Sequence, residues 1–236
     1  MASGVLSQVI SIYCQIVNLI KDLLIVKSHT PHKRLMNSAF ICLARHGETD
    51  WNKLGILQGW TDVPINDLGR HQAHEMAQAY VHAGFDAVWS SPLIRALETA
   101  QIMAASLRLP PPRQHEGLKE RHFGAIQGIP KDELAEHNPT QLAQILRRNP
   151  AAQFVGGESM DEFAERVLGA VIDIGHIHRN QKVLAISHGW VLDVVNRDVA
   201  GLPRHAVLAE KPKNGERVWV RVDGSGINRF TQKNLS

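Results

Sequence analysis

Two segments of the sequence, ICLARHG at 41–47 and VLAISHG at 183–189, run almost wholly apolar and then stop at a histidine followed by a glycine. An apolar run without polar alternation has no face for water, so a strand built from it must be covered on both sides. That requirement calls for helices above and below a sheet, and the chain between the two segments supplies them. A helix is expected over 68–84, where Leu68, Met76, Tyr80 and Val81 recur at helical spacing and Gly84 is a stop signal. FDAVWSS at 85–91 reads as a further strand. Ser91 is then the expected N-cap and Pro92 a first-turn residue of a helix through Ser106.

The same alternation continues toward the carboxyl end. LPPPR at 109–113 is a rigid connector, and two short polar helices are expected between Lys131 and Arg148. Ser159, with Glu162 three residues on, forms a capping box that starts a long helix to about Arg179. KVLAIS at 182–187 is a strand and WVLDVVNRDVAG a helix. RVWVRV at 217–222 alternates like an edge strand, within a stretch that looks like an added hairpin. Strands recurring between helices predict an α/β fold: a three-layer sandwich with a mostly parallel central sheet flanked by helices on both faces. No internal repeat is present, and 236 residues suit one main domain, expected over 39–236.

Residues 1–38 differ from that domain. Val5, Val9, Ile12, Ile16, Leu19, Leu23 and Val26 form an apolar seam of one helix, interrupted by Gln8, Gln15, Asn18, Lys21 and Asp22. The polar interruptions argue against a membrane span, and the cations Lys27, Lys33 and Arg34 come after the seam, with no basic head before it as in a secretory signal. Three readings stay open. The helix packs on the domain or self-associates into a homo-oligomer, the segment matters little and Met36 is a natural start, or the seam binds a membrane surface. A net charge of +3, with Lys and Arg interleaved among acids, gives no nucleic-acid footprint. Cys14 and Cys42 make no disulfide framework; Cys42 reads as a reduced, buried thiol, and a cytoplasmic location fits.

In open α/β sheets, ligands bind beyond the carboxyl ends of the strands. His46 and His188 are expected to meet there, with Arg45 beside His46 and Arg95 in the first turn of the helix after Ser91. Free N–H groups at that helix start also favour an anion. Two guanidiniums can grip a phosphomonoester and roughly match its charge of about −1.5 to −2. An imidazole between them has an unperturbed pKa of about 6.5, and neighbouring cations keep it neutral and nucleophilic. Gly47 is read as leaving room for close approach of the backbone to the ligand. His71 with His74, and His176 with His178, lack partners at ligand spacing, so neither is read as a metal site. Glu48 and Glu98 are read as structural partners of neighbouring cations. Trp51 and Trp60 leave two readings open, lining of the site's mouth or aromatic packing.

RHGETDWN, SSPLIRALETA, LKERHFGAIQG and SHG, in that order, resemble the histidine phosphatase superfamily, in its phosphoglycerate mutase-like branch. The resemblance implies that His46 is the phosphorylated nucleophile and that Arg45, Arg95 and His188 hold the phosphoryl group. It makes Glu120 the acid that protonates the leaving oxygen, and Asn52, Gln58, Gly59 and Gly189 part of the pocket. Neither metal nor cofactor is implied, and the expected partner is a small phosphomonoester. For its first step Glu120 must be protonated near neutrality, which calls for a raised pKa.

The resemblance spans a phosphatase and a mutase reading. Lys131 and the pair Arg147–Arg148 match mutase cations that would hold a carboxylate. Mutases, however, carry a long insert between that arginine pair and the GES segment, whereas nine residues separate Arg148 from Glu158 here. A shortened lid favours hydrolysis. A cofactor-dependent phosphoglycerate mutase is the alternative, and a non-catalytic binder of phosphorylated ligands the second. Trp190, next to the SHG motif, is expected to narrow the pocket.

Overall fold

A computed structural model describes residues 37–204, 206 and 217–230. The expectations for the amino-terminal seam, for Met36 and for the residues leading into RVWVRV lie outside the described residues. No helix among those described is long and apolar enough to cross a membrane.

The fold is α/β, with six strands in one sheet among the described residues. They are β1 (Ala39–Arg45), β2 (Ala87–Ser90), β3 (Arg113–Gln114), β4 (Lys182–Ser187), β5 (Arg217–Asp223) and β6 (Gly226–Arg229), in the order β3-β2-β4-β1-β5-β6. β3, β2, β4 and β1 run parallel, while β5 pairs antiparallel with β1 and β6 antiparallel with β5. The helices are α1 (Asp50–Lys53), α2 (Asp67–Ala79), α3 (Ile94–Ser106), α4 (Lys131–His137), α5 (Pro139–Leu146), α6 (Met160–Ile177) and α7 (Gly189–Val199).

The uninterrupted apolar runs now have their cause. Ile41 and Leu43 of β1, with Val183 and Ala185 of β4, face one core, which α6 and α7 close through Phe163, Val167, Val171, Val191 and Val195. Cys42 and Ala44, with Leu184 and Ile186, face the other core, closed by Ala73 and Ala77 of α2 and Ala96, Ala100 and Met103 of α3. Adjacent residues of one strand thus point into opposite cores. The buried Cys42 thiol, 3.8 Å from the Tyr80 hydroxyl, is pushed up to about 12 by desolvation.

Three expectations need correction. The helix expected over 68–84 is shorter: Asn66 caps it, its side-chain Oδ1 accepting from Gly69 N–H at 2.8 Å, and it stops at Ala79. Leu68 and Val81, two of the residues used to extend it, are more than half exposed. RVWVRV is not an edge strand but lies between β1 and β6. Val218, Val220 and Val222 fill one core while Trp219 fills the other, stacked 5.6 Å from Phe85 at 9°. Only one of its faces is continuously apolar, and that gave the look of a half-wet strand. The hairpin β5–β6 exists, but as part of the main sheet, with β6 at its edge.

The third correction concerns Ser91. α3 begins at Ile94 with Leu93 as an N-cap that makes no side-chain bond. The N–H of Ile94 donates instead to Asp62 Oδ1 at 2.6 Å, so this amide is not left free for an anion. The capping box at Ser159 and Glu162 is present as expected and opens α6.

Candidate active site

β1, β4 and β2 end side by side, and the ladder continues one step past each end. His46 N–H donates to Ser187 O at 3.0 Å, and Ser91 N–H to Ile186 O at 2.9 Å. This brings Arg45, His46, His188 and the start of α3 with Arg95 to one rim of the sheet, where a cavity of about 260 Å³ opens. Among the sequence-predicted site residues, Arg45, His46, Asn52, Gln58, Gly59, Arg95, Glu120 and Gly189 line it. His188 does not. It is fully buried behind His46, the two rings meeting edge-on with centroids 5.2 Å apart.

Nδ1 of His46 lies 2.6 Å from the carbonyl oxygen of Gly47. A carbonyl only accepts, so Nδ1 carries the proton and donates, and Nε2 keeps its lone pair. Burial first, then Arg95 and Arg45, hold this imidazole well below its ordinary pKa, so it is neutral near pH 7. His188 is likewise held neutral, by burial and then by Arg95, His46, Arg45 and Arg166.

Arg95 is 1% exposed, and its fork is fixed by two main-chain oxygens: Nη1 donates to Thr61 O at 2.9 Å and Nη2 to Gly59 O at 2.7 Å. Its Nε–H has no partner among the described residues. Burial lowers its pKa to about 10, which still leaves it charged at neutrality. Gly59 adopts φ +52, and a Cβ there would run into the Gln127 side chain. Its contribution is to shape the turn that orients Arg95. Asn52 is set by a capping box: its Oδ1 accepts from Thr49 N–H at 3.2 Å, which leaves the amide NH2 as its donor. Gln58 is buried, and its Oε1 meets no hydrogen-bond partner among the described residues.

Glu120 is half-buried in the cavity wall. Its Oε1 accepts from the N–H of Arg121 at 3.0 Å. Desolvation raises its pKa, outweighing that bond and the pull of Arg148, Arg95 and Arg45. The cavity also holds Lys131 and Arg148, so four cations face a single carboxylate. Such a surface attracts anions and neutralises a phosphoryl group.

Several readings of individual residues change. Gly47 makes room for the fold rather than the ligand: a Cβ there would run into the carbonyl of Gly69 in α2. Glu48 and Glu98 are structural, but through neutral donors: Glu48 Oε1 accepts from Asn66 Nδ2 at 3.0 Å, and Glu98 Oε2 from Ile65 N–H at 3.0 Å. Of the expected arginine pair, Arg148 lines the cavity and Arg147 points to solvent. Trp60 is a packing residue, edge-on to His122 at 4.8 Å, and neither it nor Trp51 lines the cavity. Trp190 does line it.

Arg166, Glu158 and Arg121 carry no expected role from the sequence, although Glu158 lies in the GES segment and Arg121 in LKERHFGAIQG. Arg166 grips Glu158 in fork geometry, with Nε to Oε1 and Nη2 to Oε2 both at 2.8 Å. The same guanidinium donates to the carbonyls of Gly117, Lys119 and Glu120. It therefore pins the irregular segment that carries Glu120. Arg121, fully buried, stacks on Phe154 and Trp190 and donates to Ala152 O at 2.7 Å.

Comparison with known proteins accords with this arrangement. The chain is 35% identical over 157 residues to the metal-independent phosphoserine phosphatase of Arabidopsis thaliana, covering 66% of each chain. It is 31% identical over 201 residues to the phosphoglycerate mutase of Schizosaccharomyces pombe, covering 83% of this chain and 94% of that one. The structure of Bacillus stearothermophilus YhfR superposes with a TM-score of 0.75 at 28% identity, covering 84% of this chain and 98% of that one. The family pattern of the histidine phosphatase superfamily (branch 1) matches residues 41–234. On these grounds the chain belongs to branch 1 of the histidine phosphatase superfamily.

Proposed function

We propose that the protein is a metal-independent phosphomonoester hydrolase that acts on a small phosphorylated metabolite through a phosphohistidine on His46. The observation that carries this reading is the state of His46: neutral, with Nδ1–H donated to Gly47 and the Nε2 lone pair left without a hydrogen bond among the described residues, in a cavity walled by Arg45 and Arg95. In the first step Nε2 forms a bond to phosphorus as the ester P–O bond breaks, and protonated Glu120 gives its proton to the departing alkoxide. In the second, Glu120 as carboxylate takes a proton from water, whose oxygen attacks phosphorus while the P–N bond breaks. Arg45 and Arg95, with Asn52 and Gly189 beside them, balance the phosphoryl charge throughout.

The mutase reading has one specific support, the presence of Lys131 and Arg148 in the cavity wall. Against it stands the short connection between Arg148 and Glu158. Hydrolysis needs water at the phosphohistidine, and a mutase must keep water out.

The test is release of inorganic phosphate from a panel of phosphomonoesters without added metal, with 2- and 3-phosphoglycerate included and His46→Ala run in parallel. Metal-independent release that His46→Ala abolishes is the expected result. Interconversion of the phosphoglycerates without net release would make the protein a mutase. Phosphate binding with no turnover would make it a binding protein.

A further inference from the structure

Ser91 has no part in the reaction as derived above. Its position beside β4 is fixed by its N–H bond to Ile186 O, and it is fully buried, as is His188. Its hydroxyl oxygen accepts from the N–H of Leu93 at 3.2 Å and lies 2.8 Å from Nε2 of His188. On the other side of that ring, Nδ1 is buried and has no hydrogen-bond partner among the described residues.

Two proton arrangements fit the 2.8 Å contact. In one, the Ser91 hydroxyl donates to Nε2, and Nδ1 carries the ring proton. In the other, Nε2–H donates to Oγ, which then accepts two N–H groups. The hydroxyl hydrogen of Ser91 would then need an acceptor, and none meets it among the described residues. That second arrangement strands two buried groups, the Ser91 O–H and a bare Nδ1. The first strands only Nδ1–H, and unpaired buried polar groups are what folded proteins avoid.

The one remaining donor suits the ligand. His188 sits edge-on to His46, within the field of Arg45 and Arg95. A protonated Nδ1 can donate to an anionic oxygen, whereas a bare Nδ1 would set a lone pair against it. We propose that Ser91 is a positioning residue that holds His188 as its Nδ1–H tautomer, whose buried proton is donated to a non-bridging oxygen of the phosphoryl group on His46. This rests on the phosphohistidine reading for the acceptor, but not for the tautomer. Because burial and the neighbouring cations keep His188 uncharged, the variable that Ser91 controls is the side of the ring that bears hydrogen.

The test is a long-range 1H–15N correlation spectrum of the full chain with 15N-labelled histidines, the His188 signals being identified with His188→Gln. In the free protein Nδ1 is expected to show the shift of a protonated nitrogen and Nε2 that of an unprotonated one. Orthovanadate is expected to move the Nδ1–H signal. An Nε2–H tautomer in the wild-type protein overturns the proposal, whatever the activity. Ser91→Ala is expected to mix the tautomers and lower kcat by the share of His188 that leaves the Nδ1–H form, about twofold for an even mixture. Ser91→Thr, which keeps the hydroxyl, is expected to restore both. Ser91→Ala with an unchanged tautomer and full rate would also overturn it. Undiminished turnover by His46→Ala would remove the phosphohistidine, and with it the named acceptor, while the spectrum of the free protein would still report the tautomer.

Discussion

The indole N–H of Trp60 donates to the backbone carbonyl of Glu120 at 2.7 Å, and Arg166 Nη2 donates to the same oxygen at 3.2 Å. The carboxyl group that faces the cavity is therefore steadied through its own main chain. Trp60→Phe keeps an aromatic ring against His122 and Lys119 but removes the donor. A neutral hydrogen bond is worth about 1 kcal/mol, which corresponds to about fivefold in rate. The expected outcome is a fall in kcat of about that size on an alkyl phosphomonoester, with KM unchanged. Steady-state kinetics check it; an effect confined to KM would disconnect Trp60 from Glu120.

Glu120→Gln separates the two halves of the proposed reaction. General acid catalysis contributes about 10²–10⁴-fold where the leaving group needs a proton. An alkyl phosphate should lose activity by that order, while p-nitrophenyl phosphate, whose phenolate departs unprotonated, should form the phosphohistidine almost as before. Water attack then lacks its base, so rapid mixing should show a burst of nitrophenolate of about one per site, followed by slow turnover. The absence of a burst, with both substrates slowed alike, would remove Glu120 from both steps.

The parts of the molecule legible in the sequence are those whose cause is local. Continuous apolar runs announced doubly covered strands, and the two His–Gly strand ends announced where the rim would lie. Arg95 and Glu120 came with quoted motifs, and the structure brings both to the cavity with His46. What escaped the sequence is what depends on a distant partner. Ser91 looks like an N-cap until His188 is placed 2.8 Å from its hydroxyl. Gly47 looks like a ligand glycine until α2 crosses it with Gly69. β5 looks like an edge until β6 pairs with its outer side. Arg166 lies in no quoted motif, and its five hydrogen-bond partners, Glu116, Gly117, Lys119, Glu120 and Glu158, lie on segments that only the fold assembles around it.

Beneath the cavity wall, Asp193 joins two cations. Arg197 Nη2 lies 2.6 Å from one carboxylate oxygen and Arg148 Nη1 3.4 Å from the other, with Asp193 and Arg197 both almost wholly buried. Removing one member of a buried pair leaves charge without compensation and costs about 3–5 kcal/mol. Asp193→Ala should lower unfolding stability by that amount, read from urea denaturation. The loss should also loosen Arg148, which donates to Gly189 O at 2.9 Å in the cavity wall. Accordingly KM should rise for any substrate with a second anionic group and change little for one without. A stability loss with no such KM split would leave Arg148 a purely structural cation.

The raised pKa of Glu120 carries a consequence for stability. Desolvation disfavours its charged form in the folded chain relative to the unfolded one, where its ordinary value is 4.5. Between 4.5 and the higher folded value, the native state holds the proton more tightly than the unfolded state does. Stability contributed at this position therefore falls as pH rises through that window and stays low above it. Glu120→Gln, neutral at every pH, escapes the loss. Its Tm should match the wild type below pH 4.5 and exceed it at neutral pH, the gap opening across the window between. Thermal unfolding of both proteins at matched ionic strength from acid to neutral pH checks this. A Gln variant less stable at pH 7 would mean that Arg148, Arg95 and Arg45 favour the carboxylate more than burial opposes it, and that the acid proposed for the first step is ionised in the free enzyme.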